Sequence, residues 1–106
     1  MLLRIYANCV ADEAGAMARA IESALLLFEP TPAARPRAYW KMPELFEFTY
    51  RLSSETRNIW DESVSEHSGG WKVFGDSEDR SAVWNRGDDR AFLLPAVRWA
   101  ELADHG

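Results

Sequence analysis

Cysteine and histidine are scarce in this sequence: Cys9 is the one thiol, and His67 and His105 are the two imidazoles. A single thiol forms no intrachain disulfide, so the chain is not a disulfide-stapled scaffold and a reducing compartment suits it. No Cys/His cluster has metal-ligand spacing, so neither a metal nor another cofactor is expected. The fold should therefore survive chelator and reductant. A large loss of thermal stability in EDTA would reveal a metal site. Long hydrophobic runs are also missing. The longest covers residues 24–28, far below the roughly 20 residues of a membrane helix. The first six residues are too short for a signal-peptide core and contain Arg4, so the expected location is the cytoplasm. Gly69-Gly70 lacks the following Lys-Ser/Thr of a phosphate loop, and there is no G-x-S-x-G elbow and no H-E-x-x-H. These absences remove the common nucleotide, hydrolase and zinc-protease signatures.

What is present is a globular balance: 106 residues, 47% hydrophobic and 27% charged. A chain this long buries roughly two-thirds of the surface its unfolded form exposes, so one domain over residues 1–106 can be held by its core alone. The net charge of −5 is unevenly placed. Residues 1–60 carry seven basic and seven acidic side chains; residues 61–106 carry five and ten. The whole excess lies in the second stretch. An acidic field repels nucleic acid and attracts basic partners, and it also serves solubility.

Leu3, Ile5 and Ala7 alternate with Arg4, Tyr6 and Asn8, a period of two that predicts a strand over 2–8. Asp12 is placed to cap a helix predicted over 13–28, with Met17, Ile21, Ala24, Leu25 and Phe28 as its apolar stripe. Pro30, Pro32 and Pro36 predict a loop over 29–37. Residues 38–42 predict a short strand that Pro43 interrupts. Phe46, Phe48, Tyr50 and Leu52 then oppose Glu47, Thr49 and Arg51, the pattern of a half-buried antiparallel strand. Ser53 or Ser54 caps a second helix with the stripe Thr56, Ile59, Trp60 and Val64, ended by Gly69-Gly70. Strands follow over 71–74, 81–86, 90–94 and 96–102. Gly87-Asp88-Asp89 makes a hairpin turn between the middle two, and Pro95 parts the last two. The expected fold class is α+β: an antiparallel sheet with two helices packed on one face, in the order β-α-β-β-α-β-β-β, the run that Pro95 parts being counted as one strand. A ferredoxin-like split β-α-β with extra strands fits that order.

Carboxylates are paired at Asp61-Glu62, Glu78-Asp79 and Asp88-Asp89. Acid–base catalysis needs carboxylates held together in a pocket, whereas neighbours on a loop point apart into solvent. Asp76-Ser77-Glu78-Asp79 lacks the spacing and distal Glu of a calcium loop. Arg86-Gly87-Asp88 spells an adhesion tripeptide, and a hairpin turn accounts for it. No catalytic residue and no metal ligand is assigned. The tryptophans are more informative: Trp40, Trp60, Trp71, Trp84 and Trp99. Trp60 shares the helix stripe and reads as core. Trp71 and Trp84 flank the acidic segments, and tryptophan is enriched where partners bind. With Asp76, Glu78, Asp79, Asp88 and Asp89 they form the candidate partner-binding set.

Three stretches carry a family resemblance: Gly69-Gly70-Trp71, Arg80-Ser81-Ala82-Val83-Trp84-Asn85-Arg86, and Phe92-Leu93-Leu94-Pro95-Ala96-Val97-Arg98-Trp99-Ala100-Glu101-Leu102. Here the chain resembles the small acidic immunity proteins of bacterial polymorphic-toxin and contact-dependent growth inhibition systems. Such proteins protect the producing cell by binding a toxin domain, often a basic nuclease, and blocking it. The resemblance implies a non-enzymatic protein whose partner is a cognate toxin domain, not nucleic acid and not a membrane. A small enzyme or ligand-binding domain on a ferredoxin-like sheet is the alternative. A deep pocket with a convergent polar group and a shifted pKa would favour that alternative; a flat or convex acidic face favours the inhibitor.

Overall fold

Alternation along the first strand sets the two faces of the sheet. The computed structural model describes residues 1–66, 71–75, 80–85 and 93–104. Its β1 (Leu2–Asn8) turns Leu3, Ile5 and Ala7 into the core and Leu2, Arg4, Tyr6 and Asn8 to the opposite face. β1 is a central strand. It pairs on one side with β4 (Met42–Arg51) and on the other with β7 (Val97–Asp104), so that Ile5 lies opposite both Phe48 and Ala100. β6 (Arg80–Asn85) pairs with β7, and β5 (Trp71–Gly75) pairs with β6. Beyond β4, the short strands β2 (Thr31–Pro32) and β3 (Arg37–Tyr39) share its outer edge. The strand order is β2-β4-β1-β7-β6-β5, with β3 beside β4.

Both helices cover the same face. Ile21 of α1 (Ala14–Ala24), Leu25 and Phe28 just beyond it, and Trp60 of α2 (Arg57–Glu66) join one buried cluster with Leu3, Ile5, Phe48, Tyr50, Val97, Ala100 and Leu102. The Tyr50 hydroxyl donates to the Ala18 carbonyl at 3.4 Å, tying α1 to β4. The Phe28 and Trp60 rings meet edge to face at 5.2 Å, joining the two helical segments. Arg57 donates two hydrogen bonds to the buried Asp104 carboxylate, at 2.6 and 2.7 Å, and ties α2 to β7. Ser53 caps the entry to α2: its Oγ accepts from the Glu55 amide at 3.2 Å.

The α+β class, the antiparallel sheet and the facing of Phe46, Phe48, Tyr50 and Leu52 agree with the sequence pattern. Other expectations need correction. The order is β-α-β-β-β-α-β-β-β, because Thr31–Pro32 within the proline loop adds a strand. Every pairing among the described residues is antiparallel, and β4 lies between β1 and β2. Pro43 does not interrupt the strand; it sits inside β4, near its start. Asp12 is not a cap: it lies within a 3-10 turn over Ala11–Glu13, and no side chain caps α1. α1 ends at Ala24, earlier than the periodicity predicts. The chain tightens into a 3-10 turn over Leu26–Phe28, and Glu29 takes the left-handed conformation (φ 51°) before Pro30. A 3-10 turn repeats every three residues, so Leu25 and Phe28 point inward while Leu26 and Leu27 point out. Ala24 and Ile59 are exposed rather than part of their stripes. Leu93 and Leu94 form a bend, Leu93 with φ 60°, and not a strand. The predicted Gly87-Asp88-Asp89 turn and the Gly69-Gly70 helix end lie outside the described residues.

Candidate functional site

The face of the sheet away from the helices can be read row by row from the register. One row runs Arg51, Leu2, Ala103, Ser81, Phe74; the next runs Thr49, Arg4, Glu101, Val83, Lys72; a third holds Arg37, Glu47, Tyr6 and Trp99. Arg4, Arg37, Arg51 and Lys72 are exposed, whereas Glu101 is half-buried and Glu47 is buried. Glu47 is held by Arg37, whose Nε lies 3.2 Å from Oε2 and Nη2 3.5 Å from Oε1. Among the described residues the face therefore shows water an excess of positive charge.

Its floor is aromatic at one end. Tyr6 stacks on Trp99 with centroids 4.3 Å apart, and Tyr39 meets both rings edge-on, at 5.0 and 5.4 Å. Burial, then the nearby Glu101 and Glu47 carboxylates, push the Tyr6 hydroxyl up to about 12. On the helix side, burial and Glu22 do the same for Tyr50, also to about 12. An unfolded tyrosine ionises near 10. Between these values the folded chain keeps protons that the unfolded chain has lost. The stabilisation is complete below pH 10 and is lost as pH rises from about 10 to about 12. Urea midpoints measured across that window should fall steadily. A flat profile to pH 12 would mean that both hydroxyls are solvated.

The helical side has the opposite sign. The helical segments within 11–28 and 54–62 present Asp12, Glu13, Glu22, Glu55, Asp61 and Glu62, against Arg19 and Arg57. Arg57 is engaged with Asp104, and its pKa is raised first by that hydrogen bond and then by the carboxylate's charge. Among these acids sit Leu26, 73% exposed, and Leu27, 72% exposed.

Of the residues singled out in the sequence, Trp84 is corrected most sharply. It is only 3% exposed and belongs to the main cluster, so its indole is not offered at the surface. Trp71 is half-buried, packed against the core and edge-on to Trp60 at 5.4 Å. Asp76, Glu78, Asp79, Asp88 and Asp89 lie outside the described residues. The alternation of β1 already grouped Arg4 with Tyr6. It gave no sign of Lys72 and Arg51 joining them, because cross-strand neighbours are set by pairing. Leu26 and Leu27 lie off the predicted helical stripe, in agreement with their exposure, but the sequence reading did not single them out as a contact site.

A shallow recess of about 650 Å³ between the end of β1 and the start of α1 is lined by Cys9, Val10, Glu13, Pro43, Glu44 and Phe46. Burial, then Glu13, raise the Cys9 pKa, and its thiol donates to the Val10 carbonyl at 3.2 Å. A thiol held protonated is a poor nucleophile. Among the described residues no group of three or more His, Cys, Asp or Glu is placed to hold a metal, and no helix is long and apolar enough to cross a membrane. No family model matches the chain, no curated protein is significantly similar to it, and no solved structure matches it.

Proposed function

We propose that this chain is a non-enzymatic inhibitor of the immunity-protein kind, which binds and blocks a basic, nuclease-type toxin domain in the bacterial cytoplasm. The observation that carries the reading is the sorting of charge by layer, which gathers six acids on the helical segments against two basic residues, one of them tied to Asp104. A basic surface built to hold phosphates is attracted to such a field, and steering of this kind speeds association. Leu26 and Leu27, exposed among the acids, supply the apolar anchors that slow dissociation. The anchoring role assigned from sequence to Trp84 passes to these leucines. Asp76, Glu78, Asp79, Asp88 and Asp89 stay in the proposed partner-binding set on their charge in the sequence alone.

The test is co-expression with a basic toxin domain, followed by binding kinetics at two salt concentrations. Glu55→Lys with Glu62→Lys reverses two exposed charges. Association at low salt should slow about tenfold, with a smaller difference at high salt and an unchanged urea midpoint. Leu26→Ala should mainly raise the dissociation rate, by roughly 2 kcal/mol in binding. A charge-reversed protein that associates as fast as wild type at low salt overturns the reading.

A further inference from the structure

We propose a second binding surface on the helix-free face of the sheet, where exposed Arg4, Arg51 and Lys72 and the ring of Phe74 take single-stranded nucleic acid. This goes beyond the inhibitor function and does not rest on it. It departs from what the net charge alone implies. A net charge averages over faces, and here the faces differ in sign. The chain measures 38 × 30 × 23 Å, whereas charges in 0.1 M salt are screened over about 10 Å. Acids on the helical side therefore do little to the potential over the sheet.

Three features point to nucleic acid rather than to another anion. First, the cations span the sheet. Arg51 lies on β4, Arg4 on β1 and Lys72 on β5. Four strand spacings at about 4.8 Å place them along roughly 19 Å, a strip that a few nucleotides would cross. Second, the face offers a ring: Phe74, paired with Ser81 and on the same face as Lys72, is 55% exposed at one end of the strip. Exposed rings beside cations stack successive bases. Third, a trough of about 410 Å³ between the cations is lined by Leu2, Arg4, Val83, Glu101 and Ala103. Arg4 and Glu101, directly opposite each other on β1 and β7, set a donor beside an acceptor above an apolar floor. A cytosine edge has an amino group for the carboxylate to accept from. An acidic peptide would meet Glu101 as a like charge and need not bring a ring to Phe74.

The experiment is fluorescence anisotropy of a labelled oligodeoxycytidylate titrated with the full chain. Binding should weaken with salt, log affinity against log salt having a slope of about −2, as three phosphate contacts on a single strand give. Arg4→Gln with Arg51→Gln and Lys72→Gln should weaken it tenfold or more, and Phe74→Ala severalfold. Glu55→Lys with Glu62→Lys, on the helical side, should leave it as strong or stronger, which separates this surface from the inhibitor surface. If the triple variant misfolds by circular dichroism, Phe74→Ala and the salt slope carry the test. Absence of binding at low salt, or full affinity in the folded triple variant, overturns the proposal. So does polyglutamate that competes as well as unlabelled oligonucleotide, since the face would then recognise negative charge alone.

Discussion

Replacing Phe48 with Ala is expected to lower stability by about 3–5 kcal/mol, as other large-to-small core changes do. Phe48 is 1% exposed, lies opposite Ile5 on the central strand and belongs to the cluster that both helices cover. Removing its ring takes away apolar contacts with β1 and leaves a cavity in a sheet that cannot collapse around it. Against a typical total of about 5–15 kcal/mol, that is a large fraction. The comparison residue is Arg51, on the same strand but facing away from the helices and exposed. Arg51→Ala should move stability by no more than about 0.5 kcal/mol. Glu47 is a poor comparison despite sharing that face. It is 8% exposed and paired with Arg37, so truncating it would strand a partner and uncover Tyr6. Urea midpoints that shift equally for Phe48→Ala and Arg51→Ala would mean that the faces of β4 are reversed.

Period and punctuation reveal a one-sided element well, and β4 shows why. Its inner face repeats every two residues without a break, and a one-residue slip would turn Phe46, Phe48 and Tyr50 away from the core together. Legibility ends where geometry changes within a run. The stripe through Leu25 and Phe28 already leaves Leu26 and Leu27 off the core, but it does not show that the helix ends at Ala24 and tightens to three residues per turn. Nothing in the residue types announces that switch before Glu29 and Pro30. The candidate surfaces were harder still. Arg4, Lys72 and Arg51 are far apart in sequence and come together only through the pairing of β4, β1, β7, β6 and β5. A count along the chain found the acid excess at the C-terminal end. The fold redistributes charge by layer, and the helical acids come from both halves of the chain, from Asp12 to Glu62. What binds a partner is the potential of a face, and a running sum over sequence has no access to it.

Trp84→Ala separates the two roles that this residue could be given. A surface anchor would leave the urea midpoint where it is and speed dissociation of a complex, at a cost of roughly 2 kcal/mol or more in binding. A core residue would do the reverse. The structure puts Trp84 opposite Ala100 on β7 and Trp71 on β5, 3% exposed, on the helix-covered face. Ala100 is small and fully buried, and a small residue facing an indole is how neighbouring strands fill one layer without a void. Truncation should therefore cost about 3–5 kcal/mol in the isolated protein. Trp84→Phe, which keeps a ring but removes volume, should fall well short of that loss. The measurement needs no partner: urea midpoints of wild type, Trp84→Phe and Trp84→Ala, with the slope checked for constancy so that the midpoints report stability alone. A wild-type midpoint for Trp84→Ala would return the indole to the surface and restore it as an anchor for a partner. A graded loss across the three proteins would leave Leu26 and Leu27, on the acidic helical side, as the apolar groups free to meet one.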